Sequence, residues 1–425
     1  MKILLVGNGG REHALADALS RENTSVELIA APGNPGIAQL ARTVPVKAGD
    51  VPQLVALAES EAVDLVVIGP EAPLADGLVD RLRARGIPAF GPTASAAEIE
   101  TSKHVAKSLM LKAGVPTARA ETHRVASEAH AAVRERFGAP VVIKASGLAA
   151  GKGVIVCATE DEAHAAIDRI MGDRAFGDAG NEVLVEAFMQ GEELSLFALT
   201  DGTDVLTMLP AQDHKRLLDG DDGPNTGGMG AYTPVALGTS ALVDDVTERI
   251  LLPTLHALRK RDTPFTGLLY AGLMLTESGP QVVEFNCRFG DPETQAILPM
   301  LESSLLDPML AIARGARIGS LPALRWRPGA SVTTVVAAAG YPDTPRTGDP
   351  IEVPEDDETR RVYHAGTTRD ASGQLRTSGG RVVAVTGLAP TFESARRISR
   401  DGAAAVSFDG AQFRRDIGWR EAARA

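Results

Sequence analysis

One short stretch of the sequence, residues 282–294 (VVEFNCRFGDPET), has side chains and spacing that could bind a metal ion and a phosphate. Because a strand turns successive side chains to opposite faces, Glu284, Asn286 and Arg288 would share one face. The apolar residues between them, expected to face the core, are Val283, Phe285, Cys287 and Phe289. Glu and Asn offer the hard oxygen ligands that Mg²⁺ prefers, and Arg can grip an anion with two hydrogen bonds. A solvated strand face with one surface ion pair explains this segment alone equally well.

The composition of the 425-residue chain limits the classes of protein to consider. A hydrophobic content of 44% and a charged content of 23% are typical of globular proteins, and the length suggests about three domains. The formal charge of -12 argues against a general nucleic-acid surface. Cys157 and Cys287 both lie in apolar runs, which favours buried thiols over a disulfide framework or a zinc site. With no apolar run near membrane-spanning length and no signal-peptide pattern, we expect a cytoplasmic protein.

Three glycine- or proline-rich turns at the ends of predicted parallel strands indicate a small-molecule pocket. The first strand runs into GNGGREH and a helix, where backbone amides could meet a phosphate. A dinucleotide site is the rival interpretation, but the second strand ends in PGN rather than in an acid. Because ligands gather at the carboxyl ends of strands, the turns around Gly9, Asn34 and Glu71 should border one pocket. Plain tight turns also need Gly and Pro, so that alternative stays open, and His13 is predicted to be a packing or helix-start residue.

A second α/β unit follows a predicted linker near residue 115. Its strand 141–144 ends in Lys144 and enters a glycine-rich loop that leads to a strand starting at Val154. The lysine precedes the glycines, and no Lys-Ser/Thr pair opens a helix, so this is not a P-loop. A strand–loop–strand hairpin could close as a flap over phosphates, with Lys152 and free amides directed at oxygen atoms. A plain flexible hairpin is the alternative. Together with Glu186 at the end of another strand, Lys144 could line a nucleotide slot between two domains.

The rest of the chain is predicted to complete this site and to add a cap. Residues 267–275 should pair with the strand that carries Glu284 through a hairpin at 277–280, and residues 240–260 should form a helix. Strands near 332–339, 361–364 and 381–385 predict a mixed α/β cap. We therefore expect an N-terminal domain at 1–115, a second domain made of subdomains 116–188 and 189–325, and a cap domain at 326–425.

Taken together, these motifs resemble the phosphoribosylamine–glycine ligase family over nearly the whole chain. The matching stretches are GNGGREHA, APGNPG, GPEAPL, KASGLAAGKGV, QDHKR, GPNTGGMGAY, YAGLM, EFNCRFGDPET, HAGT and RDIGWR. The resemblance implies the ATP-grasp fold, with an open parallel α/β domain before it and a mixed α/β cap after it. It also implies ligation of glycine to phosphoribosylamine with ATP and Mg²⁺, or Mn²⁺, in purine synthesis.

The resemblance further implies roles for individual residues. The residues expected to contact ATP are Lys103, Lys144, Ser146, Gly147, Gly151, Lys152, Gly153, Glu186, Ala187, Phe188, Met189 and Glu193. Among them, residues 186–189 match the segment that contacts adenine, and Glu193 matches the ribose ligand. Glu284 and Asn286 match the metal ligands, which favours the metal interpretation of that strand. The expected substrate-binding residues are Gly9, Gly10, Asn34, Glu71, Asp213 and Arg288. Asp213, Arg288 and Lys144 are the catalytic candidates. Many ATP-grasp enzymes carry another acid on the preceding strand, but residues 268–274 have none, which leaves the number of magnesium ions open.

A glycine carboxylate is a poor electrophile, so the expected route is phosphorylation to glycyl phosphate followed by attack of the amine. Positioning and charge neutralisation would do most of the catalysis. Other ATP-grasp carboxylate–amine ligases and biotin- or purine-type carboxylases share such a nucleotide site. An NAD(P)-dependent oxidoreductase and a non-catalytic nucleotide-binding protein are further rivals. We expect a monomer that uses small-molecule substrates and binds neither nucleic acid nor membrane.

Overall fold

The computed structural model describes residues 1–22, 25–147, 153–173, 175 and 177–424, and its N-terminal region is an open parallel sheet. The strand order is β3-β2-β1-β4-β5, with β1 Lys2–Gly7, β2 Glu27–Pro32, β3 Arg42–Thr43, β4 Leu65–Ile68 and β5 Ala89–Phe90. The apolar runs of β1 and β4 are buried on both faces, as parallel strands covered by helices must be. These helices are α1 Gly10–Ser20, α2 Val51–Ser60, α3 Glu71–Ala75, α4 Leu78–Arg83, α5 Ala94–Thr101 and α6 Lys103–Ala113, with a 3₁₀ turn at Ile37–Gln39.

Two hydroxyl caps place the start of α6 beside the next domain. Thr93 caps α5 by accepting from Ala96 N, and Ser102 has extended backbone angles that end α5. The Ser102 side chain then caps α6 by accepting from Val105 N. Lys103 therefore occupies the first turn of a new helix.

The second unit is a four-stranded antiparallel sheet of order β6-β9-β7-β8. Its strands are β6 Ala120–His123, β7 Val141–Ala145, β8 Val154–Cys157 and β9 Val183–Ala187. Its helices, α7 Ala126–Ala132 and α8 Glu160–Ile167, continue as π-helical turns at Val133–Phe137 and Asp168–Gly172, and a 3₁₀ turn follows at Gly177–Asn181. Cys157 is buried in this unit and Cys287 in the next, and both are free thiols, as expected.

The third unit contains the sheet β11-β10-β16-β17. Its strands are β10 Glu192–Thr200, β11 Val205–Thr207, β16 Gly267–Thr276 and β17 Gly279–Asn286. Its helices are α9 Ser240–Val246, which a π turn at Thr247–Leu251 joins to α10 Leu252–Lys260, then α11 Glu293–Ile297, a 3₁₀ turn at Leu298–Met300 and α12 Leu306–Ala313. The predicted hairpin forms, since β16 and β17 are antiparallel neighbours.

A β-bulge in β17 corrects one detail of the sequence analysis. Gly272 pairs with Glu284, but the next residue, Leu273, pairs with Val282, which leaves Val283 without a partner in the ladder. The core face changes parity there, because Val282 is fully buried while Val283 is only half-buried. The prediction that Val283 faces the core was wrong, because the bulge inserts one residue into the alternation. The strand also ends at Asn286, so Arg288 lies beyond it.

The C-terminal sheet has the order β12-β15-β18-β22-β19 and takes strands from two distant parts of the chain. Its strands are β12 Gln212–Asp213, β15 Gly230–Thr233, β18 Ala330–Ala337, β19 Arg360–His364 and β22 Arg381–Ala389. Two small hairpins are β13 Arg216–Leu218 with β14 Asp222–Asn225, around a 3₁₀ turn at Asp219–Asp221, and β20 Thr367–Arg369 with β21 Leu375–Thr377. Helices α13 Phe392–Ala404 and α14 Trp419–Ala422 complete this unit. Among the described residues no helix is long and apolar enough to cross a membrane.

Candidate active site

A buried carboxylate with two lysines forms one wall of the candidate site. Glu186, at the end of β9, accepts from Lys144 Nζ at 2.7 Å, and its second oxygen lies 2.8 Å from Lys107 Nζ. All three side chains are at least nine-tenths buried. Lys107 also donates to Thr117 Oγ1 at 2.7 Å. Burial lowers the pKa of Lys107, and the nearby Lys144 charge lowers it further, although Glu186 opposes the shift.

Lys103 extends this wall towards the glycine-rich loop. Its backbone N–H donates to Ser146 O at 2.8 Å, and its Nζ lies 3.4 Å from Gly147 O. Burial lowers the pKa of Lys103, and Lys144 adds to the lowering, although Glu284 opposes it. Gly153 O accepts from Ala145 N at 2.8 Å. The predicted ligands Gly151 and Lys152 lie outside the described residues.

A cavity of about 660 Å³ opens beside the segment that follows Glu186. The predicted adenine-contact residues Ala187, Phe188 and Met189 line it, and residues 275–278 and 281 of the β16–β17 hairpin line it as well. Phe188 leaves 44% of its surface exposed. The cavity therefore lies between two sheets and has an aromatic ring and backbone amides at its edge, which suits a flat heterocycle.

The predicted metal ligands lie next to this wall. Glu284 and Asn286 are two residues apart at the end of β17, beyond the bulge, and Asn286 is buried. Burial alone would raise the pKa of Glu284, but nearby positive charges hold it below its ordinary value. Those charges belong to Lys215, Lys103, Lys144 and Arg288. Within the described residues no cluster of three or more His, Cys, Asp or Glu could hold a metal. A carboxylate and an amide suit a magnesium ion that takes its other ligands from phosphate and water.

Arg288 lies between two acids that come from the N-terminal unit. Its Nε is 3.3 Å from Glu71 Oε2, and its Nη2 is 2.9 Å from Glu100 Oε1. Although burial opposes ionisation of the guanidinium, these two carboxylates raise the pKa of Arg288. Glu100 also accepts from the backbone N–H of Cys287 at 2.7 Å and from its thiol at 3.0 Å. Glu71 and Arg288, predicted separately, therefore meet in one place.

Asp213 is half-buried and lies in a group of three acids with one lysine. Burial raises the pKa of Asp213 to about 7, and the negative charges of Glu293 and Glu193 contribute, while Lys215 opposes the shift. Lys215 forms an ion pair with Glu193, the predicted ribose ligand. Glu293 is buried and accepts from Tyr270 OH at 2.6 Å and from Ser195 Oγ at 3.1 Å.

The glycine turn after β1 is organised around an internal carboxylate. Glu12 Oε2 accepts from Gly9 N at 2.6 Å, and Glu12 Oε1 accepts from Arg11 Nε at 2.6 Å. A Cβ on Gly69 would lie 2.0 Å from Glu12 Oε1, and one on Gly10 would lie 2.6 Å from Gln295 Nε2. These glycines therefore make room for side chains of the protein, and the Gly9 amide already has a partner.

Asn34 joins the N-terminal turn to the C-terminal unit. Its amide nitrogen donates to Asn8 O at 2.9 Å and to His364 O at 2.8 Å, and its Oδ1 accepts from the N–H groups of Gly36 and Ile37. His13 Nδ1 accepts from His364 N at 2.8 Å. Burial lowers the pKa of His13 to about 3, and that of His364 to about 4. His13 is a packing residue, as expected, and the Asn34 side chain has no hydrogen-bonding capacity left for a ligand.

Four residues of this site had no role in the sequence analysis. Each of them lies near predicted site residues in the sequence, and they are Lys107, Glu100, Lys215 and Glu293. The i,i+4 spacing of Lys103 and Lys107 was the available signal for Lys107. Glu100 had none, because its contacts with residues 287 and 288 are far apart in the sequence.

Family models, relatives of similar sequence and solved structures all relate the chain to the same family. Family models described as phosphoribosylglycinamide synthetase match the chain as an N domain at residues 1–100, an ATP-grasp (A) domain at 101–294 and a C domain at 331–420. The chain is 50% identical over 422 residues to a phosphoribosylamine–glycine ligase from Ralstonia nicotianae, covering 99% of each chain. It is 46% identical to one from Caulobacter vibrioides, covering 99% of this chain and 98% of the relative.

The solved structures agree with the fold. The crystal structure of phosphoribosylamine–glycine ligase from Thermotoga maritima is similar with a TM-score of 0.84 and 33% identity, covering 98% of this chain and 100% of that one. The biotin carboxylase domain of Hydrogenobacter thermophilus 2-oxoglutarate carboxylase gives a TM-score of 0.73 at 18% identity, covering 97% and 91%. The second likeness extends to the fold alone.

Proposed function

The chain belongs to the phosphoribosylglycinamide synthetase family, and we propose that it joins glycine to phosphoribosylamine by way of glycyl phosphate. It is an ATP-dependent carbon–nitrogen ligase with the ATP-grasp fold, and its substrates are small molecules. The observation that carries the proposed route is the asymmetry of charge across the site. Lysines surround Glu186 on one side, and carboxylates surround Arg288 on the other.

ATP binds between the two sheets in this proposal. The adenine occupies the cavity beside Ala187, Phe188 and Met189, and the phosphates extend towards Lys144 and Lys103. The lowered pKa of Lys103 reflects burial near other lysines, a penalty that a bound polyanion relieves. Ser146 and Gly147 continue the phosphate path towards the proposed flap.

The family uses a divalent cation, and we assign it to Glu284 and Asn286 with Mg²⁺ as the ion and Mn²⁺ as a substitute. The charges that keep Glu284 ionised also keep it ready to act as a ligand. When bound, such a cation would neutralise charge on the phosphates.

The chain's residues then handle two transfers. An oxygen of the glycine carboxylate attacks the γ-phosphorus, and ADP leaves. The amine nitrogen of phosphoribosylamine attacks the carbonyl carbon of glycyl phosphate, phosphate leaves, and the nitrogen loses a proton. Arg288 orients the substrate at the N-terminal side, and Asp213, with a pKa of about 7, accepts the proton near neutral pH. The turns around Gly10 and Glu71 bind the ribose phosphate portion, and Asn34 acts there by holding the turn in place.

An isotope experiment tests the intermediate. The chain is incubated with ATP, Mg²⁺, freshly generated phosphoribosylamine and glycine that carries heavy oxygen in its carboxylate. In the acyl phosphate route one labelled oxygen leaves with the phosphate when the amide forms. We expect labelled phosphate in step with product, and its absence during productive turnover would eliminate the route.

The same assay separates this ligase from its rivals. ADP release should depend on glycine, whereas a carboxylase would require bicarbonate and a non-catalytic nucleotide-binding protein would release none. We further propose that the enzyme works as a monomer in the cytoplasm, which gel filtration with light scattering and cell fractionation would test.

A further inference from the structure

The motif RDIGWR near the C-terminus has no part in the function proposed so far. Residues 414–420, here called the clasp, contact the segment that carries Asp213 and Lys215. That segment runs from β12 through the β13–β14 hairpin to the loop before β15. The contacts therefore join the end of the chain to a proposed catalytic residue about 200 positions earlier in the sequence.

Arg414 is the centre of the clasp and is 1% exposed. Its Nη1 donates to Asp221 Oδ1 at 2.8 Å and to Arg216 O at 3.2 Å. Its Nε and Nη2 both bind the Asp416 carboxylate, each at 2.8 Å. Four hydrogen bonds to three residues thus hold one buried guanidinium, and two of those residues, Arg216 and Asp221, belong to the β13–β14 hairpin. Although burial opposes it, Asp416 and Asp221 raise the pKa of Arg414, so the charge is permanent.

Backbone contacts run in both directions across the same interface. The Gly220 N–H donates to Asp416 Oδ2 at 2.8 Å, and the Arg415 N–H donates to Asp219 Oδ1 at 2.8 Å. Arg420 forms a further ion pair with Asp221. Acidic side chains of the hairpin and of the clasp each accept a hydrogen bond from the other segment's backbone. These contacts fix the orientation of the two segments as well as the distance between them.

His214 carries this contact to the active site. It lies between Asp213 and Lys215, and its buried ring contacts the clasp, where Nε2 accepts from Gly418 N at 2.9 Å. Because Nε2 accepts this hydrogen bond, it carries no proton, in agreement with burial, which lowers the pKa of His214. The proton is then assigned to Nδ1, which lies 3.6 Å from Asp221 Oδ1. On either side of His214, Lys215 pairs with Glu193, and Asp213 is affected by the charges of Glu293 and Glu193.

The clasp residues next to Gly418 have steric reasons for their identity. Gly418 has φ of +74°, and a Cβ there would lie 2.6 Å from Phe392 Cζ. Ile417 is buried, and a Cβ on Gly230 would lie 2.6 Å from its Cδ1. Gly230 therefore lets the clasp approach β15, and Gly418 lets it approach α13, more closely than a side chain would permit.

We propose that the clasp is a positioning device for the ligation step, in which Arg414 and Gly418 hold His214 and thereby fix Asp213 and Lys215 at the substrate. This inference rests on the proposed function. Backbone hydrogen bonds join β12 and His214 to residues 229–232, and the clasp adds the contacts that hold the His214 side chain and the β13–β14 hairpin beyond this ladder. The clasp contacts neither residues 186–189 nor the lysines around Glu186 within the described residues, so most of the proposed nucleotide site does not depend on it; the exception is Glu193, which pairs with Lys215.

The experiment compares Arg414→Met with Arg415→Met in the full chain. Arg415 is exposed and its side chain has no ion pair within the described residues, so it is a matched control. Arg414→Lys is the conservative variant, and Gly418→Ala disturbs the clasp without changing its charge. For each we measure kcat, the KM for ATP, the midpoint of the pH–rate profile and the melting temperature, with rates taken per folded enzyme.

We expect Arg414→Met to lower kcat about 100-fold, as a misplacement of about 1 Å can, with the KM for ATP unchanged. The pH midpoint should move to lower pH, because burial is the largest cause of the raised pKa of Asp213 and a loosened Asp213 is better solvated. Separation from Glu293 and Glu193 acts in the same direction, whereas separation from Lys215 opposes the shift. Arg415→Met should match the unmodified chain, and Arg414→Lys should recover part of kcat. If Arg414→Met does not fold, Gly418→Ala must show the same selective loss.

Two results would overturn the clasp proposal: a kcat per folded enzyme and a pH midpoint that are unchanged in Arg414→Met or, where that variant fails to fold, in Gly418→Ala; or a fall in kcat with an equally large rise in the KM for ATP. Failure of the unmodified chain to turn over glycine and phosphoribosylamine would instead refute the proposed function. The two failures are therefore distinguishable in one data set.

Discussion

The two walls of the candidate active site differ in their balance of acidic and basic side chains. On one wall, the lysine wall, a single carboxylate, Glu186, contacts both Lys144 and Lys107. Lys103 lies nearby, with no carboxylate bound to it among the described residues. On the other wall, the acidic wall, one guanidinium, Arg288, contacts both Glu71 and Glu100. The first wall has a surplus of positive charge and the second a surplus of negative charge.

This difference indicates what each wall is built to receive. A buried surplus of charge is unfavourable until a ligand of opposite sign arrives, so the lysine wall suits a polyanion. The acidic wall, together with the acids around Asp213, suits an amine or a cation. The electrostatics therefore support the proposed places of the ATP phosphates and of the amine nucleophile.

The largest expected effect comes from removing the carboxylate that lies between the two walls. Glu284→Gln keeps the shape but loses the charge that a hard cation needs, so we expect kcat to fall about 100-fold or more. The measurement is steady-state turnover over a range of Mg²⁺ concentrations. Glu302→Gln changes an exposed carboxylate and serves as the control. Near-normal turnover of Glu284→Gln at ordinary Mg²⁺ would remove Glu284 from the metal site.

Within the lysine wall, Lys144 and Lys107 make a matched comparison. Each substitution to Met leaves Glu186 with one lysine partner, so the structural cost should be similar. Because Lys144 lies at the end of β7 where the phosphate path begins, Lys144→Met should weaken ATP binding about tenfold or more. Lys107 donates a hydrogen bond to Thr117, so Lys107→Met should weaken ATP binding less. Titration calorimetry with an ATP analogue measures both, and equal affinities in the two variants would contradict the assignment of Lys144.

The sequence predicted the parts of the molecule in which local pattern and structure coincide. The alternation around Glu284 predicted a strand and its hairpin partner, and glycine turns after apolar runs predicted the parallel sheet. The bulge at Val283 was missed, because nothing in a row of alternating residues marks where the ladder gains one extra residue.

The partners that set the charge of each wall were the least predictable feature. Glu100 reaches Cys287 across 187 positions in sequence and also contacts the next residue, Arg288, and no local period encodes such contacts. Asn34 was predicted to bind substrate, a role that stays a prediction for its turn, but its own side chain is saturated by protein groups. A residue type suited to a ligand is equally suited to a buried turn, and only the fold distinguishes them.

A smaller effect is expected from the acid behind Arg288. Glu100→Gln must place an amide NH₂ against either the guanidinium or the Cys287 N–H, because one carboxylate now accepts from both. An opposed donor pair costs about 1–3 kcal/mol, so kcat/KM for glycine should fall about tenfold. Glu98→Gln, on the same helix but in an exposed ion pair with Arg261, is the control. If both variants behave like the unmodified chain, Arg288 does not need Glu100 for its orientation.

The smallest expected effect is a gain in stability on the acidic wall. The pKa of Asp213 rises from 3.8 to about 7 in the folded chain, so between these values the folded state binds a proton that the unfolded state has lost. Stability should therefore fall as pH rises through this range, by about 1–3 kcal/mol. Asp213→Asn cannot lose that proton and should lack this part of the decline. The variant should be inactive in ligation yet more stable than the unmodified chain at pH 8, and the difference should shrink towards pH 5.

Denaturant unfolding at pH 5 and pH 8 measures this linkage, with Asp343→Asn as an exposed carboxylate control. The comparison of the walls gives the sign: removing an acid from a surplus of acids relieves repulsion, whereas removing one that pairs with a lysine, such as Glu186, would destabilise. A loss of stability in Asp213→Asn at pH 8 would show that Asp213 pairs with Lys215 more than it repels Glu193 and Glu293. The acidic wall would then be balanced, and its preference for an amine would need another origin.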